Sequence, residues 1–95
     1  MPRVGAVRQH GGMIARMWEA RGLPESIVEL VAWARDVAMP AVASAEGYVR
    51  GDVYASSDRV VVISHWDGGA RDLPEPPSEL VARPPHSWDF ELVDG

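Results

Sequence analysis

The sequence predicts an α+β fold of four β-strands and one main helix, in the order β, α, β, β, β, with at most a turn of helix before the last strand. Three observations carry that prediction. Residues 46–67, EGYVRGDVYASSDRVVVISHWD, are two runs rich in Val, Ile and Tyr around the turn chemistry of Ala55-Ser56-Ser57-Asp58, the pattern of a β-hairpin. Ile27, Leu30, Val31, Ala34, Val37 and Ala38 follow the three-four spacing of an amphipathic helix. After Trp66 the composition changes to DGGARDLPEPPSELVARPPHS, with five Pro and two Gly in 21 residues, too many for a regular helix.

Taken in order, Met1 to Gly12 has no period and ends in Gly11-Gly12, which predicts a flexible arm (1–12) ahead of a single domain (13–95). MIARMWEAR, Met13 to Arg21, alternates Ile14, Arg16, Trp18 and Ala20 with Met13, Ala15, Met17 and Glu19. Neither set is cleanly apolar, which suits a strand covered on both faces or partly in a dimer interface. Gly22-Leu23-Pro24 breaks that strand, and Pro24 suits the first turn of a helix, where its missing N–H costs nothing. Glu25 and Glu29 favour the positive end of that helix. Pro40 should end or kink it near Ala38, with Ala41 to Ala45 adding another turn or so.

A two- or four-residue loop in the hairpin gives one register, pairing Tyr54 with Arg59, Asp52 with Val61, Arg50 with Ile63 and Tyr48 with His65, all on one face. The other face then carries Val49, Gly51 and Val53 across from Ser64, Val62 and Val60, with Trp66 opposite Gly47. The helix stripe should cover this second face. The Pro-rich segment runs as extended loop with room for a short turn over Pro77 to Ala82, and Ser87 to Val93 alternates as a half-buried strand.

At 95 residues there is room for one domain, burying only about two thirds of its unfolded surface, so a dimer is expected. A formal charge of −5 argues against nucleic acid or an anionic membrane surface as partner. With no Cys there is no disulfide framework, thiolate metal site or cysteine nucleophile. The first residues lack the apolar core of a secretion signal and no run of about 18 apolar residues occurs, so a cytoplasmic protein is expected. All nine basic residues are Arg, and Lys, Asn and Thr are absent, which removes Schiff-base chemistry and side-chain amides from Asn.

The segments MIARMWEARGLPE, AMPAV, EGYVRGDVY and RVVVISHWD, in that order over Met13 to Asp67, resemble the antibiotic-biosynthesis-monooxygenase-like family. The resemblance implies a ferredoxin-like dimeric α+β barrel: a four-stranded antiparallel sheet with helices on one face, two such sheets joined across a homodimer, and a ligand cleft between sheet and helices. Trp66 of Trp66-Asp67-Gly68 matches the family's strand-end Trp. The chain departs from the pattern where the Pro-rich segment replaces the second helix by a degenerate helical segment, and where the Asn used by the oxygenases is lacking. A hydrophobic aromatic or polyketide-like small molecule is the implied ligand, and cofactor-free oxygenation or cyclisation the implied reaction. The alternative is a non-catalytic dimeric module that binds a ligand or a protein.

Within that frame Trp66 and Trp18 are candidates to shape a pocket, with Trp33 and Trp88 adding aromatic surface, and each is equally a core residue of a small domain. Arg16, between Ile14 and Trp18, is the candidate to meet a carboxylate or a developing oxyanion. His65 or Tyr48 is the candidate to move a proton, and His65 read plainly is a histidine satisfied in the dimer interface. Strand parity puts His65 and Trp66 on opposite faces. His10, His65 and His86 fall in separate segments with no carboxylate spacing, so no metal is expected, and no Gly-rich phosphate loop or nucleophile elbow supports a cofactor.

Overall fold

Alternation of side chains sets the first strand, β1 (Met13–Arg21), and β-branched runs set the next two, β2 (Tyr48–Ala55) and β3 (Arg59–Asp67). A computed structural model of the chain describes residues 12–93; the expected arm, apart from Gly12, lies outside the described residues. With β4 (His86–Glu91) the strands form one antiparallel sheet in the order β2-β3-β1-β4, the topology of a ferredoxin-like sheet. Among the described residues no helix is long and apolar enough to cross a membrane.

The main helix covers one face. It begins at Pro24 with a 3-10 turn (Pro24–Ser26) and continues as α1 (Ile27–Trp33), a π-helical turn (Ala34–Ala38) and α2 (Met39–Ala43). Of the two outcomes expected at Pro40, an end or a kink, the helix takes the second: it is irregular over Ala34–Ala38 and adds about one more turn. Pro40 has no N–H for the carbonyl four residues back and its ring crowds that carbonyl, and the preceding turn widens so that the Met39 N–H reaches Ala34 O, five residues back. The widening turns Val37 outward, 53% exposed, against its expected place in the apolar stripe. The buried positions are Leu30, Ala34, Ala38 and Val42, and Leu30 and Ala34 share one core cluster with Trp18, Ala20, Val60 and Val62 of the sheet. Two of them are Ala, which lets the helix sit close to the indoles below.

The hairpin register is also corrected. Tyr54 pairs with Val61, Asp52 with Ile63 and Arg50 with His65, two residues from the expected pairing. The Ser56 N–H donates to Arg59 O at 2.9 Å, so the two-residue tip falls at Ser57-Asp58, one position later than the expected register places it. A slip of two preserves the faces, so Val53, Val60, Val62, Ser64 and Trp66 still look toward the helix. A β-bulge between Tyr48 and Arg50 then breaks the alternation. It pairs Tyr48 with Trp66 in place of His65 and leaves Val49 51% exposed, against the expectation that Val49 joins the core. Gly47 enters the bulge at φ 91°, a left-handed conformation that glycine adopts without strain, and its carbonyl accepts the Asp67 N–H at 2.7 Å.

Where a second helix would complete the layer, residues 68–85 cross as a strap with only a 3-10 turn, Ser78–Leu80. Leu73, Leu80 and Val81 pack on the core, and the Ala82 N–H donates to Arg21 O at 2.8 Å. Gly69, near the start of the strap, faces open space. The face of the sheet away from the helix is uncovered. There Met17 is flanked by Ile63 on β3 and Trp88 on β4, with Phe90 beside Ala15 and Tyr54 beside Val61. Trp88, Phe90 and Tyr54 are 46%, 55% and 53% exposed, and every residue of the last strand, expected to be half-buried, is exposed in one chain. Charges on this face are paired, Arg50 with Asp52 at 2.6 Å and Arg59 with Glu19 at 3.0 Å.

Candidate functional site

Trp18 of β1 and Ser87 of β4 are cross-strand neighbours on the helix side of the sheet, toward its β4 edge. The strap passes over them. Asp72, Leu73, Pro74, Glu75 and Pro76 from its first half and Pro85 from its end enclose a cleft of about 230 Å³. Proline keeps those walls extended and stiff without a hydrogen-bonded partner strand. Trp33 from the helix packs on Trp18 at 6.0 Å between ring centres, fixing the indole from the other side.

Arg16, one pleat along β1, fastens the strap to the sheet. Its Nε and Nη2 donate to the two carboxylate oxygens of Asp89 at 2.6 and 2.9 Å, and its Nη1 donates to Asp72. The Asp89 carboxyl is held below the usual carboxylate range, chiefly by those hydrogen bonds, and the Arg16 guanidinium is raised by the same contact. Arg16 is therefore committed to two carboxylates, and an incoming oxyanion would have to displace one of them.

Trp66 is sealed. It is wholly buried, its indole N–H donates to Ser64 Oγ at 2.8 Å, and the Tyr48 ring meets it edge-on at 5.5 Å. The cleft is walled by Trp18 and lies toward the β4 edge, away from Trp66. Burial, with the negative charge of Asp52 adding, raises the Tyr48 phenol above its ordinary value, which makes it a poor base at neutral pH. His65 lies on the open face beside Ala15 and Arg50, so the sheet separates it from Tyr48. With Met13, Ala15, Phe90 and Leu92 it lines a shallow depression of about 300 Å³, and its Nδ1 is enclosed without a hydrogen-bond partner among the described residues.

Trp88 is on that open face too, stacked with His86 at 6.1 Å, and shares no pocket with Trp18. The structure thus sets Trp33 against Trp18, places Arg16 two residues along the same strand, buries Trp66 in the core with a half-buried Tyr48 against it, and leaves His65 and Trp88 on the other side of the sheet. Among the described residues no three His, Cys, Asp or Glu side chains converge as metal ligands. Sequence reasoning missed Asp72 and Asp89. The available signal was Arg16 itself, a guanidinium between apolar neighbours that needs a carboxylate partner.

No protein-family model and no curated protein matches the chain. Among solved structures, the crystal structure of NE2512, a protein of unknown function from Nitrosomonas europaea, superposes with a TM-score of 0.66 over 90% of this chain and 94% of that one. The two are 11% identical, so the likeness is one of fold.

Proposed function

We propose that the chain is a homodimeric α+β barrel module of the antibiotic-biosynthesis-monooxygenase-like kind, which holds a small molecule in the strapped cleft over Trp18 without transforming it. The observation that carries this reading is the uncovered sheet face. Met17, Val61, Ile63, Tyr54, Trp88 and Phe90 form an apolar surface across all four strands, and their charged neighbours are already paired. A second copy placed sheet to sheet would cover it, as a small domain with a thin stability margin requires. Self-association would also enclose His65.

The non-catalytic half of the proposal is supported by the disposition of the groups that chemistry would need. Arg16 is occupied by Asp72 and Asp89, Trp66 is out of reach of the cleft, and the sheet stands between Tyr48 and His65. Oxygenation or cyclisation would need those groups around one substrate. Sedimentation equilibrium with the Phe90→Asp variant tests the assembly: a dimer is expected for the parent chain and a folded monomer for the variant, and a monomeric parent overturns the proposal. Oxygen uptake with anthrone-like phenols tests the chemistry. Turnover that is lost in Arg16→Ala would restore the catalytic reading.

A further inference from the structure

We propose that protonation of His65 controls self-association, so that two copies pair through the open sheet face at neutral pH and part in mild acid; the proposal rests on the reading of that face as a dimer interface. The observation behind it is an enclosed ring nitrogen. His65 Nδ1 is shut off from water and has no hydrogen-bond partner among the described residues, a state rare enough in folded proteins to call for a role. A neutral imidazole meets it by carrying its one proton on Nε2 and leaving Nδ1 a bare acceptor. An imidazolium has a proton on both nitrogens, so a charged His65 in this position would hold an enclosed donor with nothing to receive it.

The surroundings offer that charge little. Met13 and Ala15 of β1 and Phe90 and Leu92 of β4 line the depression in which the ring lies. On β2 the cross-strand neighbour is Arg50, itself a cation, whose guanidinium holds Asp52 at 2.6 Å. Asp67, two residues along β3, is exposed, and Glu91 lines the same depression, yet no oxygen of these carboxylates reaches Nδ1. While the chain is single, the half-buried ring can turn toward the mouth of the depression and hydrate its charge. A second sheet laid on the face closes that exit, and an unpaired charge under apolar cover is costly. The free protomer therefore accepts the proton more readily than the dimer does, and by linkage acid draws the equilibrium toward monomer. His86 is the internal control. It stands on the same face, but exposed, on the edge strand and across from Glu19, where a proton costs little.

Sedimentation equilibrium of the full chain at about pH 7.5 and about pH 5.5 makes the test, a window in which histidine titrates and carboxylates stay ionised. Circular dichroism checks that the chain is folded at both. The dissociation constant is expected to rise about tenfold or more from the higher pH to the lower. His65→Gln and His65→Phe, neutral throughout, should each dimerise equally well at both, and His86→Gln should respond as the parent does. An unchanged dissociation constant for the parent overturns the control by His65 and leaves the dimer standing. So does an acid response that survives in either His65 variant or vanishes in His86→Gln. Loss of the dimer at neutral pH in both His65 variants would make the ring a structural contact and overturn the control as well. A parent chain that is monomeric at both overturns the dimer reading, and the control with it.

Discussion

Trp66 and Arg16 carry opposite lessons about what a conspicuous residue does. The indole that a strand-end position offers to a ligand is instead the largest wholly buried side chain of the core, with its one polar atom satisfied by Ser64. Truncation should behave accordingly: Trp66→Ala is expected to cost about 3–5 kcal/mol in a urea unfolding series, as for other large-to-small changes in a packed core. Arg16 is the more informative residue because its partners come from two distant segments. Asp89 has a lower pKa folded than unfolded, so its contribution to stability is complete above its unfolded value near 3.9 and is lost as pH falls through the folded one. Asp89→Asn should therefore flatten the acid limb of the stability profile below about pH 4 and alter it little near neutrality beyond the lost pairing. Because the Asp89 side chain is 44% exposed, solvent screening holds the effect to about 1 kcal/mol or less. Arg16 was legible as a basic residue among apolar neighbours, but which Asp it would choose was not, since that depends on how the strap folds back.

At the scale of elements, periodicity was a good guide and exceptions to it were not. Alternation in β3 placed Val60, Val62, Ser64 and Trp66 on the helix side whatever the register, which is why a two-residue slip at the tip left the core intact. The bulge was invisible because Val49 is as β-branched and apolar as its neighbours. Pro40 announced an irregularity near Ala38 but not its form, because an interior Pro can end, kink or widen a helix and packing against the sheet decides among them. Complete burial of Ala38 predicts that Ala38→Leu will cost about 1–3 kcal/mol by overpacking, measured by the same urea series. The bulge makes a second prediction. Removing Val49, the extra residue, leaves Arg50 opposite His65 and Tyr48 opposite Trp66, so this deletion within a strand should lower stability by only about 1 kcal/mol, whereas deletion of Val62 should abolish folding.

For the molecule as a whole, the order of strands and the single covering helix could be read from the sequence, and the shape of the cleft could not. The strap has no period to read, and its course is set by Leu73, Leu80 and Val81 finding the core and by Arg16 reaching Asp72. A chain whose sheet is covered on one side only should owe stability to its partner, so the thermal midpoint is expected to rise with protein concentration in calorimetry, and an invariant midpoint would count against the dimer. One feature of the strap has a practical consequence. Gly69 faces open space at a backbone conformation ordinary for any residue, three positions from the Asp72 that lines the cleft, in a chain without a single thiol. A cysteine installed there would be a unique handle for an environment-sensitive dye, turning the domain into a fluorescent reporter of its own occupancy.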